Sequence, residues 1–256
     1  MKLLMTMLLG LLSVTSYAQN GYLEMFSESK YTPLNLERIE MSVVVPSSPY
    51  FYPSLVERYN KNDSTLTVDD YRYLYYGYAF SSNYEPYTNS PYADSVANVI
   101  LTDRRIITAS SSPKLIYYIG KILEKEPFNI EFLNMISYIY GKMGDDDAAR
   151  IYSTKLNMIL MAIFSSGTGV MKESPWFVLY RSDVMNVLSI LGVEVTRRAY
   201  ITKSVEYYRL TEKLGEIKAF YFDFSLILKV PDNTQRKRRF EFNPYYNPKS
   251  DKFINK

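Results

Sequence analysis

The chain contains no histidine and no cysteine in its 256 residues. Without histidine it lacks the usual general base at neutral pH and the commonest zinc ligand. Without cysteine it has no thiolate nucleophile, no disulfide and no lipid-modified cysteine. Ser-His-Asp, Cys-His and HExxH chemistries are therefore excluded. Catalysis would have to rest on carboxylates, a Ser-Lys pair, tyrosine or an oxygen-ligated metal. A non-catalytic protein is the leading expectation, with no cofactor, no metal site and no catalytic residue assigned. No segment reaches the 18 or so continuous apolar residues of a membrane span. Neither GxGxxG nor GKS/T occurs, so the usual nucleotide-binding loops are absent as well.

What is present begins at the first residue. Met1-Lys2 is a basic start, Leu3 to Val14 is an apolar run, and Ser16-Tyr17-Ala18 places small residues three and one before Gln19. This is the pattern of a secretory signal peptide. Residues 1–18 are expected to be removed, leaving an exported, periplasmic or secreted chain that is not an integral membrane protein. An apolar fraction of 47% supports a packed core. At this length the core can hold the fold without disulfides.

Tyrosine stands out, with 26 residues. Its ring buries like an apolar group while its hydroxyl needs a polar partner, so tyrosine suits cores, wet interfaces and sugar-stacking faces. Charge is uneven. From Lys229 to the end there are eight Lys or Arg against three Asp or Glu, a net +5, which leaves the body slightly acidic. Arg236, Lys237, Arg238 and Arg239 head a tail that also carries Phe240, Phe242, Tyr245 and Tyr246. A basic aromatic run can bind phosphates or bases. In an exported protein, nucleic acid is not the expected partner. The alternatives are a weak contact with an anionic lipid or polysaccharide surface and a plain flexible tail.

Periodicity predicts an extended segment over residues 19–48, with Met41 to Val45 as its strand-like run, and helices from Ser54 to Lys61 and from Thr67 onward. Thr67 and Asp70 form a capping-box pair. Tyr71, Leu74, Tyr75 and Tyr78 follow at helical spacing, as a core stripe or a set of interface anchors. Gly77 lies where another element could approach closely. Further helices are predicted over Tyr92–Leu101, from Ser112-Pro113 to Glu124, over Ile130–Lys142 and from Asp145 to Phe164. Asp145-Asp146-Asp147 reads as a helix start rather than a calcium loop. The last two helices resemble one tetratricopeptide unit, with small Ser137 at the close-approach position, but without a second repeat. Strands are predicted at Trp176–Tyr180, Val193–Thr202, Val205–Thr211 and Ile217–Leu228, the last two as a hairpin around Glu212–Gly215, with a short helix at Asp183–Leu191. The expected fold is α+β: an N-terminal helical region with a tetratricopeptide-like helical hairpin, followed by a small antiparallel sheet.

Four residues of the glycine-containing loop, Ser166, Gly167, Thr168 and Gly169, are a candidate binding loop or simply a helix stop. The loop follows a helix C-terminus, where the dipole does not favour anions. Tyr71, Tyr75 and Tyr78 are the candidate aromatic anchors. Asp63-Ser64-Thr65 and Asp94-Ser95-Val96 resemble an O-glycosylation acceptor motif of exported Bacteroidota proteins, which makes Ser64 and Ser95 candidate acceptors.

Ser48-Pro-Tyr-Phe-Tyr-Pro-Ser-Leu-Val-Glu-Arg-Tyr59, Asp63-Ser-Thr-Leu-Thr67 and Tyr71-Arg-Tyr-Leu-Tyr-Tyr-Gly77 resemble the opening block of a Bacteroidota domain of unknown function, the one numbered four-nine-one-nine. Ala162-Ile-Phe-Ser-Ser-Gly-Thr-Gly169 and Phe220-Tyr-Phe222 are similar to its later blocks. Thr168 departs from the pattern, which has an acidic residue there. The resemblance covers Pro49 to Leu228 and implies export and a Gram-negative envelope setting, with no catalytic residues. The expected organisation is a signal peptide (1–18), an extended segment (19–48), one α+β domain (49–228) and a basic tail (229–256). The leading function is a binding or scaffold domain of the envelope, whose partner is an envelope protein or a glycan. Behind it stand a carboxylate-dependent glycan hydrolase and a membrane-surface protein held by the tail.

Overall fold

Asn35 starts α1 (Leu36–Val44), the first helix of the described residues, by accepting the backbone N–H of Arg38 at 2.8 Å. The structure is a computed structural model and describes residues 31–102 and 107–230. The signal peptide, Arg236 to Arg239 and the rest of the tail beyond Val230 lie outside those residues. Met41 to Val44, expected as strand, is the second half of α1. The cap and the burial of Ile39 and Val43, four residues apart on one face, outweigh the strand preference of the valines.

α2 (Tyr52–Asn60) buries Leu55 and Tyr59. α3 (Val68–Tyr78) opens with the expected capping box: Thr67 Oγ1 accepts from Asp70 N at 3.2 Å, and Asp70 Oδ2 accepts from Thr67 N at 2.8 Å. Every residue from Asp70 to Tyr78 is buried. A helix buried all round is a central one, and α3 packs against both preceding helices and against α7 (Asp146–Phe164). Close packing depends on Gly77, where an added Cβ would lie 2.8 Å from Val43 Cγ1. Arg72, also buried, donates to Ser165 O (2.8 Å), Ser165 Oγ (2.6 Å) and Thr32 O (2.7 Å). These bonds fasten the chain before α1 and the end of α7 to the central helix.

α4 (Tyr92–Thr102), α5 (Ser112–Leu123) and α6 (Ile130–Met143) build a second apolar cluster from Val96, Ile100, Leu115, Ile119, Ile122, Phe132, Met135, Ile136 and Ile139. α6 and α7 form the expected helical hairpin. Ser137 Oγ donates to Ala149 O at 2.8 Å, so the small residue serves the close approach expected of it. Helix α7 begins at the Asp145 cap, whose carboxylate accepts from Ala148 N at 3.0 Å.

The remaining elements are β1 (Trp176–Phe177), α8 (Arg181–Ile190), β2 (Val195–Tyr200), β3 (Val205–Leu214), β4 (Ile217–Asp223) and α9 (Ser225–Lys229). The sheet order is β1-β4-β3-β2. It is mixed rather than antiparallel, because β1 pairs parallel to β4, Trp176 with Phe222 and Phe177 with Asp223. β1 is also shorter than expected: Tyr180 already caps α8, so the chain leaves the sheet within three residues. The strand expected through Leu228 ends at Asp223. There Asp223 Oδ1 accepts from Ser225 N at 2.6 Å and turns the backbone into α9. The helical part followed by the sheet is an α+β fold. Among the described residues no helix is long and apolar enough to cross a membrane.

Candidate functional site

The α3 stripe expected as possible anchors is core. Tyr71, Tyr75 and Tyr78 are 5%, 0% and 4% exposed. Their hydroxyl and ring contacts are internal. Tyr75 Oη donates to Asp183 Oδ2 at 2.8 Å and accepts from Leu179 N at 3.0 Å. Tyr78 Oη donates to Lys125 O, and Tyr71 packs edge-on to Tyr59. The stripe offers no surface to a partner because elements cover α3 on every side.

The glycine loop is a cradle for the one tryptophan. Gly167 O accepts the Trp176 indole N–H at 3.0 Å, and Ser166 Oγ accepts from Phe177 N at 3.1 Å. Thr168 Oγ1 and Ser174 Oγ lie 2.6 Å apart, and Gly169 N donates to Ser174 O at 2.9 Å. Gly169 has φ +69, and a Cβ there would overlap the indole. The Gly169 amide and the Ser166 and Thr168 hydroxyls serve this packing rather than an anion. Ser64 lies exposed in the turn between α2 and α3. Beside it Asp63 is held down at a pKa of about 2 by bonds from Thr65 and then Arg58. Ser95 is half-buried within α4, a less open setting.

Folding also assembles a cluster that the linear reading missed. β2 and β3 pair with Tyr200 opposite Glu206 and Arg198 opposite Tyr208. Side chains two apart share a face of a strand, so these four lie on one side of the sheet, at its β2 edge. Arg181, the first residue of α8, reaches over the same spot. Glu206 is fully buried (0% exposed). Its Oε1 accepts from Arg181 Nη1, and its Oε2 accepts from Tyr208 Oη at 2.7 Å and lies 3.7 Å from Arg198 Nε. The Arg181 guanidinium stacks 4.4 Å from the centroid of the Phe224 ring.

A carboxylate buried at this depth costs several kcal/mol unless it is paired and hydrogen-bonded. Two guanidiniums and a phenol do so, and the cluster keeps a net charge of +1. Burial disfavours the charge on Arg181, but its bond to Glu206 and the Glu206 field win, and its pKa is raised. Burial first, and then Glu206, push the Tyr208 hydroxyl well above the ordinary phenol value. The arginine side chains remain 43% and 60% exposed, and Tyr200 is 63% exposed. Glu206 engages one nitrogen of Arg181 out of a fork with five N–H donors. The outer edges of both guanidiniums therefore face water beside an exposed aromatic ring, Arg181 held from below by its hydrogen bond to Glu206 and Arg198 by a looser ion pair. A sequence signal did exist: Glu206 falls in phase with Tyr208 and Leu210, both buried. A charge on the buried side of a strand requires a partner.

Burial raises the Asp183 carboxyl to a pKa of about 7, against the bonds from Tyr75 and from Tyr180 N. It is sealed in the core at 1% exposure. Among the described residues no three Asp or Glu gather into a group that could hold a metal ion. The exposed guanidinium edges beside Glu206 are chemically complementary to a negatively charged group. No curated protein and no solved structure matches the chain. Residues 37–233 match the family described as a domain of unknown function (DUF4919), extending beyond the expected Pro49 start to take in α1, and the chain belongs to that family.

Proposed function

We propose that this protein is an exported, non-catalytic binding module of the bacterial envelope that takes acidic polysaccharide at the Arg181–Arg198–Tyr200 edge of its sheet. The observation that carries this reading is the fully buried Glu206 beneath two half-exposed arginines. Guanidinium pairs carboxylate in a planar, two-pronged fashion. An exposed tyrosine beside it supplies a face for a sugar ring. Export rests on the signal-peptide pattern of residues 1–18, and the envelope setting on that pattern together with the resemblance to Bacteroidota proteins.

The test is binding of the mature chain to polygalacturonate, measured by isothermal titration at low and moderate salt. A charged hydrogen bond contributes about 1.5–3 kcal/mol, and 1.4 kcal/mol is tenfold in affinity. Arg198→Gln is therefore expected to weaken binding by about tenfold, and Tyr200→Ala to weaken it further. Deleting residues 231–256 is expected to leave most of the affinity. Binding lost with the tail but untouched by Arg198→Gln would move the contact to Arg236–Arg239. Full affinity in a variant carrying both Arg198→Gln and Tyr200→Ala, without a tail effect, would refute this reading of the site.

A further inference from the structure

Lys155 lies on α7 with its ammonium 4.2 Å from the centroid of the Tyr59 ring of α2 and 5.8 Å from that of Tyr152. Behind these two rings stand Tyr71 of α3, edge-on to Tyr59, and Tyr140 of α6, stacked on Tyr152. Tyr59 Oη is already committed, donating to Pro127 O at 2.8 Å. None of the ion pairs among the described residues includes Lys155. The other described lysines are exposed, except Lys121, which pairs with Glu124 at 2.7 Å.

A half-buried amine among phenol rings feels two opposed effects. The ring faces attract an ammonium, while removal from water penalises its charge. The nearby groups supply no countercharge. Burial holds Tyr59, Tyr71 and Tyr152 above the ordinary phenol value, so they are neutral at physiological pH. Desolvation prevails and brings the Lys155 amine down to a pKa of about 8. At pH 7.5 roughly a quarter of it is unprotonated, against about a thousandth of an ordinary lysine.

We propose that Lys155 is the most reactive amine among the described lysines, a covalent capture site for aldehydes, including the open-chain form of reducing sugars. The Nζ lone pair adds to the carbonyl carbon, and a proton passes from nitrogen to the carbonyl oxygen to give a carbinolamine. The hydroxyl then leaves with the remaining Nζ proton as water, giving a C=N bond to Nζ. No oxidant or reductant takes part, and water reverses the step. The site is separate from the sheet edge and does not depend on the ligand bound there.

The experiment treats the mature protein with glycolaldehyde and cyanoborohydride at pH 7.5, which traps the imine as a stable alkylamine, and locates adducts by peptide mass spectrometry. Lys155 is expected to be labelled at least about tenfold faster than exposed Lys114 and Lys218, given its larger unprotonated fraction. Its rate should level off above about pH 8, while theirs keep rising toward pH 10. Labelling no faster than at Lys114 would overturn the proposal. Tyr152→Ala separates environment from access. Hydrating the amine should cut the Lys155 rate toward that of exposed lysines, with a thermal melt confirming that the variant is folded. A higher rate in that variant would show that access alone governs reactivity, and would likewise reject the proposal.

Discussion

Tyr75 and Asp183, 108 residues apart in sequence, share a 2.8 Å hydrogen bond in the core, from Tyr75 Oη to Asp183 Oδ2. The bond joins the central helix α3 to the N-terminal turn of α8. The same carboxylate oxygen accepts from Tyr180 N at 3.2 Å, and Tyr75 Oη in turn accepts from Leu179 N at 3.0 Å. One phenol and one carboxyl thus satisfy the backbone where the chain passes from β1 into α8. That junction fixes where Arg181 projects, and hence the geometry around Glu206.

Tyr75→Phe removes the hydroxyl and keeps the ring, so Leu179 N loses its Tyr75 acceptor and Asp183 loses a donor, keeping the bond from Tyr180 N. The expected loss is about 1–3 kcal/mol in urea denaturation. Tyr75→Ala adds a large cavity and should cost about 3–5 kcal/mol. A variant of either kind with unchanged stability would contradict the burial of the α3 stripe.

Asp183 also predicts a pH dependence. The unfolded carboxyl ionises near 3.9, the folded one near 7. Between those values the folded state keeps a proton that the unfolded state releases, so stability falls as pH rises from about 4 to 7 and is level above that. The drop is on the order of a few kcal/mol. Asp183→Asn should flatten this part of the profile, as read from urea midpoints across pH 4–8.

Gly169→Ala places a methyl inside the indole of Trp176 at a φ of +69 and is expected to cost about 2 kcal/mol or more. Gly215, in the β3–β4 turn, has a similar φ of +59 with open space around its Cβ position. Gly215→Ala should therefore cost only about 1 kcal/mol. Equal losses in the two denaturation curves would mean that the tryptophan cradle contributes nothing.

Glu206→Gln keeps the shape of the side chain but removes the charge beneath Arg181 and Arg198. Because both arginines are half exposed, the expected loss is about 2 kcal/mol, less than for a wholly buried pair. Tyr208→Phe should cost about 1 kcal/mol. Both are read by thermal melts, and a more stable Glu206→Gln protein would argue against the cluster as an organised site.

Much of the local architecture was legible in the sequence. The Thr67–Asp70 cap, the Asp145 helix start and the β3–β4 hairpin rest on hydrogen bonds or turns within a few residues, which propensity and spacing encode directly. The α6–α7 hairpin was legible because its two apolar stripes and its small residue at 137 lie close in sequence. The same local reading failed at Met41 to Val44. There a valine-rich stretch became helix because Val43, one turn after the buried Ile39, packs against α3 at Gly77, a contact absent from any short window.

By itself, then, the sequence determined the chemistry the protein is denied, through the absence of histidine and cysteine, and the order of helices before sheet, through periodicity. The tertiary structure alone decided which tyrosines are core, which way β1 runs, that the glycine loop holds a tryptophan, and that Arg181, Arg198 and Glu206 meet. Those outcomes depend on contacts such as Arg181 with Glu206, 25 residues apart, and Arg72 with Ser165, 93 apart. A side chain's role at such distances is set by which groups desolvate it and which satisfy its polar atoms. Both are fixed only when separate elements close around it.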